Sequence, residues 1–589
     1  MIRLKKMMAL VIAMVMVICT MNVVALAGTG DLAPDSKITI TGLTEGDTVN
    51  LFQVLKWTDS TGWTINNQFT ALTEDGDNKS EGVLKLIGNT KNVQLSADDL
   101  AKIATVAQGK NKIDSKKVGD NNTYEYTINE NVGPGMFVAL VTAGTAGTVY
   151  NPIVISADFT PDNATNTIPA SSKINGTAIA KKKVITGDKV EEDITANVGD
   201  VFNYTVTTTI PVYSSAFTNQ YFKVTDKLSD YLDILNNEEY KGVTYNITVK
   251  DTDTDEPVNI TSYLTVDTDK HGFTINFPHN YVSKLTAAKN ITITYSAKLN
   301  VPVSEILDLE NVTEEENSIV IVFPNDPNDL TGKKVTALKD GTREYTFTID
   351  GKLFGNSSWE TAELVKVGVD KDGTAIEKEI KVSNGSTHAA LAGAKFGVYT
   401  TKDAAENAKG EADDEGLYTN ALFDGFVETN SLGLMNIPGL NAGEYWLVEL
   451  DAPNGYIKDT TPHKIEIYAD INEEGASVTE YYTYDKEGNV TWHEKKVEGG
   501  IPYTYKVPVL NYYTVTIDDE NTSTYDMTLD GSAIKTVTPR ESSTEIKNTR
   551  GVELPATGGM GTTIFYVIGT VLVLGAGVLL VTRRRMEAN

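Results

Sequence analysis

The sequence predicts an all-β protein, a string of β-sandwiches set between a secretory leader and a C-terminal membrane-spanning helix. Three observations carry that prediction. β-Branched and polar residues alternate throughout, as in KITITG (37–42), FNYTVTTTI (202–210), TYNITVK (244–250), NITITYSAKL (290–299) and HKIEIYAD (463–470). Gly, Asn and Asp break these runs at turn spacing, the pattern of half-buried strands. Long uncharged apolar stretches occur only at the two ends, and the chain of 589 residues is too long for a single core.

The elements follow in order. Arg3, Lys5 and Lys6 precede an apolar stretch closing on Ala25-Leu26-Ala27, so residues 1–27 read as a signal peptide cut after Ala27, with an uncleaved anchor as the alternative. The single cysteine, Cys19, lies inside that leader. The mature chain therefore has no disulfide and must find its resistance elsewhere. Asp and Glu number 80 against 51 Lys and Arg, for a net charge of −29. That balance argues against nucleic-acid binding and for a soluble, self-repelling extracellular surface.

A first β domain is expected over 36–160, followed by a Thr/Asn/Pro/Ser-rich linker at 161–180. A second spans 181–329 and stops at a Pro-Asn-Asp-Pro-Asn-Asp cluster; a third, larger one spans 343–550. Short helices are expected in SADDLAKIATVAQG (96–109) and SKLTAAKN (283–290), and the stretch 474–507 reads as an added hairpin. Lysine-bearing strands open domains two and three, and asparagine-bearing strands close them.

The run Thr562–Thr582 carries no charge and is long enough to cross a hydrocarbon layer of roughly 30 Å. Arg583, Arg584 and Arg585 follow, which makes 583–589 a cytoplasmic tail and puts everything before the span outside. Ahead of it stands Leu554-Pro555-Ala556-Thr557-Gly558. Pentapeptide, span and basic tail together resemble the sorting signal of Gram-positive wall-anchored proteins. The resemblance implies that a sortase cuts between Thr557 and Gly558, holds the threonine as a thioester and passes it to an amine. The expected location is then a surface pilus on the cell wall, after a transient membrane-anchored precursor.

A second resemblance lies in GEYWLVELDAPNGYIKD (443–459). By alternation alone Glu449 is a candidate for a solvent-facing strand residue. Yet Tyr445, Leu447, Glu449, Ala452, Pro453, Gly455 and Tyr456 fit the Y-x-L-x-E-x-x-A-P-x-G-Y box of Gram-positive pilins. That resemblance implies immunoglobulin-like domains of the Cna B type, in which a first-strand lysine attacks a last-strand asparagine, assisted by the glutamate, with loss of ammonia. A lysine sealed in an apolar core favours its neutral, nucleophilic form, and a carboxyl there favours its protonated form. By position the set is Lys366, Asn548 and Glu449, with Lys371 and Asn511 as alternatives. Domain two resembles the Cna A-like domain of the same subunits through ANVGDVFNYTVTTTIP (196–211) and YFKVTDKLSDYLDI (221–234). This implies Asp226 as the acid and Asn317 as the acceptor, with a lysine from 181–183: Lys182 first, Lys183 next.

Shaft subunits of this family carry V-Y-P-K before domain two. Here TVYNPIVISADFTPDN (148–163) occupies that place and has no lysine; Lys173, in the linker, is the acceptor named in its stead. The five histidines are scattered without ligand spacing, so no metal and no cofactor is expected. DTDTDEP (251–257) reads as a solvated turn, and Trp57, Trp63 and Trp359 as core residues rather than a sugar platform. The functional expectation is a structural pilin rather than an enzyme. Its partners are sortase, identical or related subunits, peptidoglycan, and a host protein or glycan in adhesion and colonisation. The alternatives are an ancillary or basal pilin and a monomeric wall-anchored adhesin.

Overall fold

The computed structural model describes residues 37–551 and the strand Met21–Val23. Within 37–551 it leaves out 59, 88–92, 145–147, 158–164, 170–173, 178–180, 187–188, 192, 214–216, 241, 254–257, 262–263, 303–304, 328, 330, 352–361, 375, 377–379, 382–386, 409–424, 531–532 and 537–542; backbone alone is described for most of 156–194. The leader other than that strand, Lys173, Trp359, the pentapeptide 554–558, the apolar run 562–582 and the tail 583–589 lie outside the described residues. Among the described residues no helix is long and apolar enough to cross a membrane.

Strands dominate, as the alternation predicts, and they stack as three successive sandwiches. In the first, Thr48–Thr58 lies between Gly135–Thr142 and Gly62–Ile65, and Lys37–Thr41 pairs with Thr123–Thr127 on a second sheet. Ile38, Ile40, Val49, Leu51, Tyr124 and Phe137 fill the space between them. The helix expected in 96–109 forms at Ala97–Ala107. Ser96 and Asp99 cap it reciprocally, which satisfies two of its orphan N-terminal groups. Trp63 is buried and Trp57 packs edge-on against it, as core tryptophans do.

The second sandwich has two sheets of seven strands each among the described residues. One centres on Val201–Ile210 and Lys289–Leu299, the other on Phe222–Leu228 and Val312–Pro324. The burial of Val201–Ile210 alternates strictly, with Phe202, Tyr204, Val206, Thr208 and Ile210 turned inward. Two expectations need correction. The helix expected in 283–290 is instead a single turn at His279–Val282 behind Pro278, and Lys289 already begins a strand; proline suits a helix start, where its missing N–H is no loss. The chain also does not leave domain two at the proline cluster. Val335–Ile349 returns and pairs with Val312–Pro324 along its whole length.

That returning strand joins two domains. Its far end, Tyr345, Phe347 and Ile349, packs in the core of the third sandwich with Leu364, Phe396, Leu447 and Tyr513, and it pairs with Ile437–Leu440. The third sandwich sets a four-stranded sheet containing Leu364–Val369 and Thr544–Thr549 against a larger sheet containing Lys395–Tyr399, Gly443–Asp451, His463–Tyr484 and Ile501–Ile517. The last two strands run on together as the hairpin expected at 474–507. It lies back over domain two, where Tyr482 packs with Val322, Val335 and Ala337. Lys339 of domain two donates to both oxygens of Glu480 at 2.9 and 3.0 Å.

Candidate functional site

Leu364–Val369 is buried at every residue and runs parallel to Thr544–Thr549, with Lys366 opposite Ile546 and Gly368 opposite Asn548. Leu364, Lys366 and Gly368 therefore share a face with Thr544, Ile546 and Asn548, because strand side chains alternate with period two. Leu364 and Ile546 show that this is the core face. Across the core, Gly443–Asp451 turns Tyr445, Leu447 and Glu449 inward. Lysine and asparagine thus come from one sheet and the glutamate from the other.

The three side chains meet. Lys366 Nζ donates to Asn548 Oδ1 at 2.5 Å, and Asn548 Nδ2 donates to Glu449 Oε1 at 2.9 Å. Lys366 Nζ is 3.2 Å from the same Oε1. Exposures of 0% for Lys366, 2% for Glu449 and 1% for Asn548 put the trio out of reach of water. The second glutamate oxygen accepts the backbone N–H of Asp459 at 2.7 Å, which fixes the carboxyl group's orientation. The ring of Phe396 lies 5.1 Å from Nζ. Burial pushes the Lys366 amine below the ordinary lysine value, against an opposing pull from the Glu449 carboxylate. A lone ammonium here would cost several kcal/mol, on the order expected for a desolvated ion, so burial disfavours the charged amine.

The second half of the 443–459 motif holds the asparagine strand. Gly455, at φ +87°, makes a turn that only glycine enters without strain. From that turn the Ile457 N–H donates to Thr549 O, and the Gly551 N–H donates back to Gly455 O. Tyr456 lies on Gly368, where an added Cβ would come within 2.7 Å of the ring. The alternatives Lys371 and Asn511 are both exposed, and Asn511 bonds Asp470 instead.

Domain two buries a comparable cluster. Asp226 and Asn317 sit on adjacent strands of one sheet, and Tyr204 and Tyr295 on the other. Tyr295 Oη donates to Asp226 Oδ2 at 2.8 Å and accepts from Asn317 Nδ2 at 3.0 Å. Tyr204 stacks on Tyr295 at 5.1 Å and donates to Glu344 Oε1 at 2.9 Å. Strand register sets Lys182 opposite the buried Val206, and Lys183 opposite Thr205, which is only half-buried. The lysine side chains themselves are outside the described residues. Sequence reasoning missed Tyr204, Tyr295, Glu344 and Phe396; the inward alternation of FNYTVTTTI and NITITYSAKL marked both tyrosines as core, but nothing in the sequence marked them as polar partners of an acid.

Two family descriptions match the chain: a prealbumin-like fold domain (SpaA) over residues 376–482, which contains Glu449, and the LPXTG cell wall anchor motif over 546–588. A curated relative, the trypsin-resistant surface T6 protein of Streptococcus pyogenes serotype M6, is 28% identical over 481 residues, 77% of this chain and 79% of that one. The chain is similar to the sortase-assembled pilins of Gram-positive bacteria. Among solved structures, the T6 backbone pilin of S. pyogenes serotype M6 is 17% identical with a TM-score of 0.48, covering 89% of this chain and all of that one. The full-length major pilin SpaD of Corynebacterium diphtheriae is also 17% identical, with a TM-score of 0.43 and the same coverage. The anchor motif marks a surface protein covalently attached to the cell wall.

Proposed function

We propose that domains two and three of this pilin each close on themselves through a lysine–asparagine isopeptide bond, so that the shaft bears tension through covalent ties between first and last strands. One observation carries the reading: a single oxygen, Glu449 Oε1, lies within reach of both the attacking nitrogen of Lys366 and the leaving nitrogen of Asn548. The neutral amine attacks Cγ of Asn548. Glu449 takes one proton from the attacking nitrogen and delivers it to Nδ2, which departs as ammonia. The carboxyl ends as it began, and no outside reagent is needed. In domain two the corresponding set is Lys182, with Lys183 as the alternative, and Asn317 and Asp226.

Intact mass of the secreted ectodomain tests this. The expected deficit is two ammonia molecules, falling to one in Glu449→Ala; an undiminished wild-type mass rejects both bonds. The S. pyogenes relative is named for trypsin resistance. The same resistance is proposed here, with internal amides in place of the disulfides that a thiol-free mature chain lacks.

For assembly, sortase cleavage within Leu554-Pro555-Ala556-Thr557-Gly558 would leave Thr557 for transfer to Lys173 of another subunit, and at the fibre base to peptidoglycan. A shaft role predicts a ladder of covalent multimers on denaturing gels of wall extract, abolished by Lys173→Ala. The lysine-free stretch 148–163 favours a second reading, an ancillary or basal pilin, which gives no homopolymer ladder. Adhesion to a host protein or glycan, and so a part in colonisation, belongs to either reading.

A further inference from the structure

We propose that Tyr295 is the proton relay of the domain-two bond, standing between the acid and the amide where domain three has the acid alone. The inference rests on the reading that Asn317 and Asp226 serve an isopeptide bond with Lys182. In domain three the glutamate oxygen touches the leaving amide nitrogen at 2.9 Å. In domain two the hydrogen bonds run from Asn317 Nδ2 to Tyr295 Oη, and from Tyr295 Oη to Asp226 Oδ2. The three groups form a directed wire from amide through phenol to carboxylate. Asn317 is 0% exposed and Asp226 and Tyr295 are each 2% exposed, so bulk water does not supply the proton.

The phenol is held rigidly for this. Tyr204 stacks on it at 5.1 Å with planes 19° apart, and Phe273 meets its face edge-on at 4.9 Å. Burial keeps its hydroxyl protonated at any physiological pH. The step balances. The amine of Lys182 attacks Cγ of Asn317, and Asp226 accepts a proton from the attacking nitrogen. Attack makes Nδ2 a basic amine that accepts rather than donates, so the wire reverses: Tyr295 turns its O–H from Asp226 to Nδ2, gives it that proton and takes one from the newly protonated Asp226. The C–N bond to Nδ2 breaks, ammonia leaves, and both Tyr295 and Asp226 return to their starting states.

The test follows ammonia loss by intact mass, after a pulse of expression, in wild type, Asp226→Ala and Tyr295→Phe, with peptide mapping to separate the two domains. In Tyr295→Phe the domain-two bond is expected to form about 100-fold more slowly or not at all, the scale of losing a positioned acid–base group. The domain-three bond should form normally and report that the chain folds. Replacing Tyr295 by 3,5-difluorotyrosine keeps the ring, the stack and both hydrogen bonds while making the hydroxyl more acidic. A relay predicts a changed rate and a shifted pH profile, whereas a packing role predicts neither. If wild type carries no domain-two bond, the underlying reading fails. If wild type carries it, Asp226→Ala lacks it, and both tyrosine variants form it at the wild-type rate, the relay is overturned while the bond stands.

Discussion

Glu449→Gln isolates what the domain-three tie contributes. Glutamine matches the glutamate in shape and still accepts the Asn548 amide bond, but it cannot carry a proton from Lys366 to the leaving nitrogen. The bond should therefore not form, and the domain should otherwise fold with its core intact. The tie would join residues 182 apart in sequence. Closing a loop of that length removes chain entropy worth about 5 kcal/mol by the relation used for disulfides. For a domain of this size, each kcal/mol moves the midpoint by roughly 2–4 °C, so the third domain's transition should fall by about 10–20 °C. Scanning calorimetry with parallel intact mass reads both quantities in one preparation. Ammonia loss at position 548 in Glu449→Gln would show that the acid is dispensable. A missing bond with an unmoved transition would show that the covalent tie is not what stabilises the domain.

Other perturbations are read as simply. Gly368→Ala puts a Cβ within 2.7–3.0 Å of the Tyr456 ring and should push that ring off the asparagine strand; an overpacking cost of about 1–3 kcal/mol and a slower mass deficit are expected. Lys339→Ala removes the cation from Glu480, whose side chain is 9% exposed and keeps the Tyr505 hydroxyl at 2.7 Å, and should cost about 1–3 kcal/mol, the scale of losing a charged hydrogen-bond partner; limited proteolysis should then cut the hairpin within 484–501 faster than in wild type. Burial pushes Glu315 up to about 7 from 4.5, chiefly by desolvation. A raised carboxyl pKa means full stability below pH 4.5, lost as pH rises through about 7, by about 3 kcal/mol at most; Glu315→Gln should flatten that slope in the second domain's transition, and an unchanged slope would refute the assignment.

How much of this was legible depends on the range over which each signal acts. Alternation is local, so FNYTVTTTI and HKIEIYAD announced strands and their inward faces. The hairpin at 474–507 was legible for the same reason. The returning strand Val335–Ile349 was not: its partner contacts are set by a neighbour strand and by a second core, and the proline cluster before it mimics a domain end. Glu449 shows the limit of alternation in another way. Alternation alone left it a candidate for the solvent side; the Y-x-L-x-E-x-x-A-P-x-G-Y resemblance singled it out, and the structure turns it to the core face with Tyr445 and Leu447. Tyr295 had no such motif, and only the assembled core shows that its hydroxyl lies between an acid and an amide.

The strand Val335–Ile349 also bears on what the proposed covalent ties could do for a fibre. A tie within domain two or three protects that domain alone; the load must still cross the junction. Here the crossing is not a bare linker. The same strand pairs with Val312–Pro324 in domain two and ends in the core of domain three, and the 474–507 hairpin returns from domain three to clasp domain two through Tyr482 and Lys339. Tyr445 adds a third contact, donating its hydroxyl to Asn441 O at 2.9 Å and lying 3.1 Å from Asn197 Oδ1 of domain two. Pulling the two domains apart would have to unzip a shared strand and peel off the hairpin together, a parallel load path that resists more than either in series. Single-molecule stretching separates the contributions: removal of 476–507 should lower the force at which domains two and three part while leaving both ammonia losses in place. If the force is unchanged, the hairpin is decoration and the strand alone carries the junction.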